Sequence, residues 1–161
     1  MLSFDDLKIS DLAELKVIFK DSFDDESNIH INSTDGPAGY ADGSLLRDYV
    51  LDDAIISKKI LKDNKIIGCY AIEKNFTSYH LQLLFIDPKY KDAGIGAKVW
   101  KHIEEYYSRA QKWYVEIYDF SERNKHFYMD KCGFHFVRDK ICANGRKKVI
   151  LMKEMSESSD R

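Results

Sequence analysis

Downstream of Ser10, the apolar residues Leu12, Leu15, Ile18 and Phe19 recur at the spacing that lines one face of a helix. Ser10 is a good N-cap, so a first helix is expected from there to about Phe23, after a short strand over Leu2–Asp6. A second, shorter helix is expected through LLRDYVL, capped by Ser44. The pattern then turns strand-like. AIISKKIL, KIIGCYAIEK and YHLQLLFI are rich in β-branched and aromatic residues, with Asp63-Asn64 as a tight turn and Asp87-Pro88 as a stop.

Helical spacing returns in GIGAKVWKHIEEYY, where Ile95, Val99, Ile103 and Tyr107 share one face. KWYVEIYDF follows as a strand. Asn124 is expected to cap a short helix through KHFYMDKC, with Gly133 at its C′ position. FHFVRDKICA and RKKVILMKEM are two strands joined by Asn144-Gly145, a strong hairpin signal. The resulting order, β-α-α-β-β-β-α-β-α-β-β, predicts an α+β fold (a mixed α/β sandwich): helices on a mostly antiparallel sheet. One domain over residues 1–155 and a disordered tail over 156–161 are expected. Between the first two helices lies DDESNIHINSTDGPAGYADG, polar and carrying Gly36, Pro37, Gly39 and Gly43. It is expected to be a long loop, the kind of segment that often carries function.

Composition narrows the class. In 161 residues, 44% are hydrophobic and 32% charged, and the net charge of −2 comes from interspersed signs. No basic face for nucleic acid is expected. The three cysteines, Cys69, Cys132 and Cys142, are odd in number and irregular in spacing, which suits a reducing compartment. Cys132-x-x-His135 lacks a second ligand pair, so no metal is expected. The acidic start MLSFDDLKISDL lacks the apolar core of a signal peptide, and no apolar run approaches the ~20 residues that span a bilayer. A soluble, cytoplasmic protein is expected.

The chemistry concentrates in LQLLFIDPKYKDAGIGAKVWKHIEEYY. A strand ends at Pro88, a short loop follows, and Gly94 and Gly96 open a helix. A helix N-terminus carries unpaired N–H groups and about half a positive charge, and glycines let an anion approach the backbone. The segment is not a P-loop, because no Gly-Lys-Ser/Thr follows. Val99 stands where a dinucleotide fingerprint needs its third glycine.

Here the chain resembles the GNAT (Gcn5-related N-acetyltransferase) family. Lys91-Asp92-Ala93-Gly94-Ile95-Gly96 is similar to its pyrophosphate loop, Arg/Gln-x-x-Gly-x-Gly/Ala, with Lys91 in place of Arg or Gln. Leu84-Phe85-Ile86-Asp87-Pro88 resembles the strand that leads into that loop. Asn124-Lys125-His126-Phe127-Tyr128 followed by Lys131-Cys132-Gly133-Phe134 resembles the family's last helix, although Tyr128 to Gly133 is one residue longer than the commonest form. Gly36-Pro37-Ala38-Gly39-Tyr40 also looks like a segment of a bacterial subgroup.

The resemblance implies a six- to seven-stranded sheet in which the strand ending at Ile86 and the strand beginning at Lys112 splay apart. It implies acetyl-CoA as cosubstrate, an amine acceptor that attacks the thioester directly, and it allows a homodimer. Pantetheine would bond to the backbone of Leu84, Phe85 and Ile86 as if it were another strand. Lys91, Asp92, Ala93, Gly94, Ile95, Gly96 and Ala97 would surround the pyrophosphate, and Asn124 and Tyr128 would also contact the cofactor. Tyr128 would be the acid that protonates the leaving thiolate; the competing reading is a core tyrosine beside Phe127. Strand alternation places His80 and Gln82 on one face and Leu81 and Leu83 on the other. Glu116 or His80 would then be the general base, directly or through water; each can equally be a solvated strand residue. Cys132 is a further nucleophile candidate that direct attack does not need. Two other readings compete with the enzyme: a non-catalytic acyl-CoA-binding module, which Gln82 favours, and a generic phosphate-binding domain.

Overall fold

The structure is a computed structural model and describes residues 1–25, 29–31, 44–90, 94–143 and 145–155. The elements are β1 (Leu2–Asp6), a 3-10 turn at Ile9–Asp11, α1 (Leu12–Asp25), β2 (Ile29–Ile31), α2 (Ser44–Leu51), β3 (Ile55–Lys62), β4 (Lys65–Asn75) and β5 (Ser78–Ile86). A second 3-10 turn at Pro88–Tyr90 is followed by α3 (Ile95–Tyr106), β6 (Lys112–Tyr118), α4 (Glu122–Lys125), a π-helical turn at His126–Lys131, β7 (His135–Ile141) and β8 (Lys147–Glu154). The sheet runs β1-β3-β4-β5-β6-β8-β7, with β2 added against β5. Every pairing is antiparallel except β5 with β6.

Two apolar layers flank the sheet. On one face Ile95, Val99, Trp100 and Ile103 of α3 and Tyr128 pack against Trp113, Val115 and Ile117 of β6, Leu81 of β5 and Leu151 of β8. On the other, Leu15, Ile18 and Phe19 of α1 and Leu46 of α2 pack on Cys69 and Ala71 of β4 and Leu83 and Phe85 of β5. The helical spacing in the sequence thus became the buried stripes of α1 and α3.

Alternation in β5 does not run through unbroken. Ala71 pairs with Leu83 but Ile72 pairs with Leu81, so Gln82 is an extra residue in β5, a β-bulge. Past it the strand changes phase: Leu81 faces α3 and Leu83 faces α1. The expectation that Leu81 and Leu83 share a face is therefore corrected; the inserted residue turned the second half of the strand over. A second correction concerns Asn124. The cap of α4 is Ser121, whose Oγ accepts the backbone N–H of Asn124 at 3.4 Å, and Asn124 lies inside the helix. Ser121 stands at the N-cap itself, the position from which a hydroxyl reaches the N3 amide. The strand β2 was not expected at all, since the sequence there reads as loop.

At Gly68, β4 and β5 approach so closely that an added Cβ would sit 2.1 Å from the Phe85 carbonyl oxygen. That neighbour is backbone and cannot rotate away. Gly68→Ala is expected to cost about 3 kcal/mol, the upper end of overpacking penalties, read as a lowered urea midpoint.

His102 of α3 stacks on Phe4, ring centroids 3.8 Å apart, and burial lowers its pKa from the ordinary 6.5 while Glu105 opposes that shift. The unfolded chain therefore binds more protons than the folded one as pH falls through ~6.5. Stability is undiminished above that pH and declines below it. The urea midpoint should drop between pH 7.5 and 5, and His102→Phe should reduce the drop.

Candidate functional site

The bulge at Gln82 lies two residues past His80, the last residue of β5 that pairs with β6. β5 and β6 pair in parallel at Ser78–Lys112, Tyr79–Trp113 and His80–Tyr114, and the pairing stops there. β5 runs on to Ile86 beside β4, and β6 runs on to Tyr118 beside β8. The two strands part into a splay that opens toward their C-terminal ends.

At the end of β5 the chain turns into α3. Gly94 is the N-cap with φ 71 and ψ 13, the left-handed conformation that glycine adopts without penalty. Among the described residues, a Cβ at Gly94 would meet nothing within 4 Å. A Cβ at Gly96 would instead lie 3.0 Å from the Phe127 ring, so Gly96 lets the π turn pack against α3. The first amides of α3 have no acceptor within the helix, as at any helix start. A pyrophosphate is the anion expected at this helix start. Ile95 is buried, Ala97 half-buried, and both belong to the first turn. Lys91, Asp92 and Ala93, expected around the same anion, lie outside the described residues.

The backbone expected to carry pantetheine is well ordered by its neighbours. Leu84, Phe85 and Ile86 are buried, and Ser22 Oγ of α1 donates a hydrogen bond of 2.9 Å to the Ile86 carbonyl. Phe19 stacks on Phe85 with centroids 4.9 Å apart. Sequence reasoning did not find Ser22, because a serine amid an apolar helical stripe carries no signal of a distant partner.

The polar residues of β5 and β6 share one face. His80 stacks on Tyr114 with centroids 5.1 Å apart, while Trp113, Val115 and Ile117 enter the opposite core. Gln82 Nε2 donates to Glu73 Oε1 at 3.3 Å. Glu116 is bridged by Lys140 Nζ at 3.0 Å, with Lys148 directly across the ladder from Lys140. Lys148 is fully buried, its ammonium 5.0 Å over the Tyr118 ring, and burial lowers its pKa, with Glu116 opposing and Lys140 adding to the shift. Lys140 and Lys148 were missed in the sequence. The Asn144-Gly145 hairpin was the available signal, since its register determines which residues of β7 and β8 lie beside Glu116.

Tyr128 is 1% exposed and lies edge-on to Phe127 and Phe134, with centroids at 4.9 and 5.5 Å. Burial raises its hydroxyl well above the ordinary phenol value, with Cys132 adding to the shift, so it stays protonated at neutral pH. The extra residue between Tyr128 and Gly133 is accommodated by the π turn: the Cys132 amide bonds to the Phe127 carbonyl at 3.1 Å, five residues back. The Cys132 thiol is buried and pushed up to about 12, chiefly by desolvation, which makes it a poor nucleophile. Among the described residues, no group of His, Cys, Asp and Glu is arranged to hold a metal ion, and no helix is long and apolar enough to cross a membrane.

Several known proteins are similar to this chain. Residues 45–155 match the family described as the acetyltransferase (GNAT) domain. An uncharacterized protein of Bacillus subtilis strain 168, YrkN, is 34% identical over 105 residues, a stretch covering 64% of this chain and 56% of that protein. Among solved structures, the ribosomal-protein-S18-alanine N-acetyltransferase of Escherichia coli superposes with a TM-score of 0.73 at 13% identity, covering 100% of this chain and 98% of its own. The PaiA N-acetyltransferase of Thermoplasma acidophilum, solved with coenzyme A, gives 0.73 at 16% identity, covering 96% and 99%. An acetyltransferase of Thermus thermophilus gives 0.73 at 15% identity, covering 96% and 97%. At such identities these structures show the shared fold. The family match extends over more than half of the chain, from α2 to the end of β8, and the chain belongs to the GNAT family of acetyltransferases.

Proposed function

We propose that this acetyltransferase moves the acetyl group of acetyl-CoA to a primary amine by direct attack in a ternary complex. The observation that carries the reading is the splay of β5 from β6 beside the glycine-capped start of α3. Pyrophosphate would sit on the α3 N-terminus, and pantetheine would lie along Leu84–Ile86. A backbone N–H there would meet the thioester oxyanion.

The amine nitrogen attacks the thioester carbon, the C–S bond breaks, and the ammonium proton must leave. Glu116 or His80 would take that proton, directly or through water. Because Lys140 bridges Glu116 at 3.0 Å, an incoming ammonium would compete with Lys140 for the carboxylate. Tyr128 would serve the departing sulfur. As the acid, its buried, protonated hydroxyl would donate a proton, or a hydrogen bond, to the developing thiolate. The acceptor is an amine of a small molecule or of a protein.

Thermal shift tests the binding step. Acetyl-CoA at ~100 times its dissociation constant should add roughly 2.7 kcal/mol, seen as a raised melting temperature. An unchanged melting temperature at millimolar acetyl-CoA would overturn the reading. Release of free CoA with a panel of amines separates turnover from a binding module that has lost catalysis, the alternative that Gln82, held by Glu73 in the cleft, favours.

A further inference from the structure

The edge of β5 that faces the splay is occupied by the chain itself. Past His80, where β6 leaves, Ile29 pairs with Phe85, His30 with Leu84 and Ile31 with Leu83. The opposite edge of the same residues is committed to β4, with Leu83 across from Ala71, Leu84 from Tyr70 and Phe85 from Cys69. A strand has one row of N–H and C=O groups along each edge, and each row can hold one neighbour. A pantetheine arm that adds to β5 as a further strand needs the row that β2 holds.

β2 is brought there by a short, anchored lead. α1 is fixed to β5 by the Ser22 hydroxyl on the Ile86 carbonyl and by the Phe19–Phe85 ring stack, and residues 26–28 alone separate α1 from β2. At three residues β2 is far shorter than the nine of β5, so leaving the edge breaks few bonds.

We infer that Ile29–Ile31 is an internal competitor for the pantetheine edge: acyl-CoA binds when β2 leaves Leu83–Phe85, and the pairing equilibrium of β2 sets part of the acyl-CoA affinity. The inference rests on the acyl-CoA reading above. If only a fraction of molecules has the edge free, apparent affinity is reduced by that fraction; an edge occupied in about nine molecules of ten gives a roughly tenfold weakening that loss of β2 removes.

Proline substitution tests it. Successive amides of a strand point to opposite edges, so of Ile29→Pro and His30→Pro one removes a donor aimed at β5. Calorimetry on the intact chain would compare CoA with 3′-phospho-ADP, the part of CoA that lacks pantetheine. The expected result is a roughly tenfold tightening for CoA in at least one variant and no change for the nucleotide fragment. Hydrogen exchange with CoA bound should show the amides of Ile29–Ile31 less protected than in the free protein. Equal CoA affinities in wild type and both variants, or undiminished protection of Ile29–Ile31 in the complex, would overturn the inference while leaving acyl-CoA binding intact. Absence of binding by CoA and by the fragment in all three proteins would instead remove the acyl-CoA reading, and this inference with it.

Discussion

Gly94→Glu should weaken CoA binding by about 100-fold or more, equivalent to about 2.7 kcal/mol, in a chain that remains folded. The carboxylate would stand at the N-cap of α3, in the space where an anion must approach, and would itself neutralise the positive end of the helix. Among the described residues, chain neighbours apart, no atom lies within 4 Å of the new Cβ. The positive φ costs a non-glycine residue about 1–2 kcal/mol of stability, a penalty that the control Gly94→Asn shares in smaller measure without the charge. Calorimetry should therefore find near-normal CoA affinity in the Asn variant and little in the Glu variant. Gly96→Glu should also abolish binding, but its Cβ meets the Phe127 ring at 3.0 Å, so its melting temperature should fall as well. Normal CoA affinity in Gly94→Glu would place the pyrophosphate elsewhere.

Tyr128→Phe is expected to lower kcat by ~10²–10⁴ while Michaelis constants stay near wild type, because a bond to the leaving sulfur forms mainly in the transition state. The ring itself, buried against Phe127 and Phe134, is kept by phenylalanine, so stability should change by no more than about 1 kcal/mol. Glu116→Gln should behave differently. If Glu116 accepts the ammonium proton, the substitution should remove or shift the rising limb of the pH–rate profile. A slow variant with an unaltered profile would assign the base to His80 or water. A fully active Tyr128→Phe enzyme would leave the binding part of the proposal and end the role of its hydroxyl.

The sequence made the periodic elements legible because each was read from local spacing. The stripes of α1 and α3 and the strands β3 to β6 came out near their observed bounds for that reason. What local spacing cannot carry is a change of phase. Gln82 is one bulged residue in an otherwise regular apolar strand, and nothing in YHLQLLFI marks it as the point where the strand turns over. Nor can a polar segment announce a three-residue strand whose partner lies more than fifty positions away, as β2 does with β5. In the candidate site, Gly94 and Tyr128 stood out in the sequence because they fall in motifs. Ser22, Lys140 and Lys148 did not, because their importance comes from tertiary neighbours. The expectations for Lys91, Asp92 and Ala93, for Asn144, for the Gly36–Tyr40 segment and for the tail after Met155 lie outside the described residues.

The π turn at His126–Lys131 makes chain length a variable of the site. One residue of an α-helix corresponds to a rotation of about 100°. Deleting a single residue there would let the turn relax to α-helical winding, while Phe134, buried against Trp100, holds its place. The rotation would pass back toward Ser121 and swing Tyr128 off its present bearing, presenting a neighbouring side chain in its place. On the proposed reading, the phase of this short helix, counted from Phe134, would be as much a determinant of which group meets the sulfur as the identity of the residue at 128.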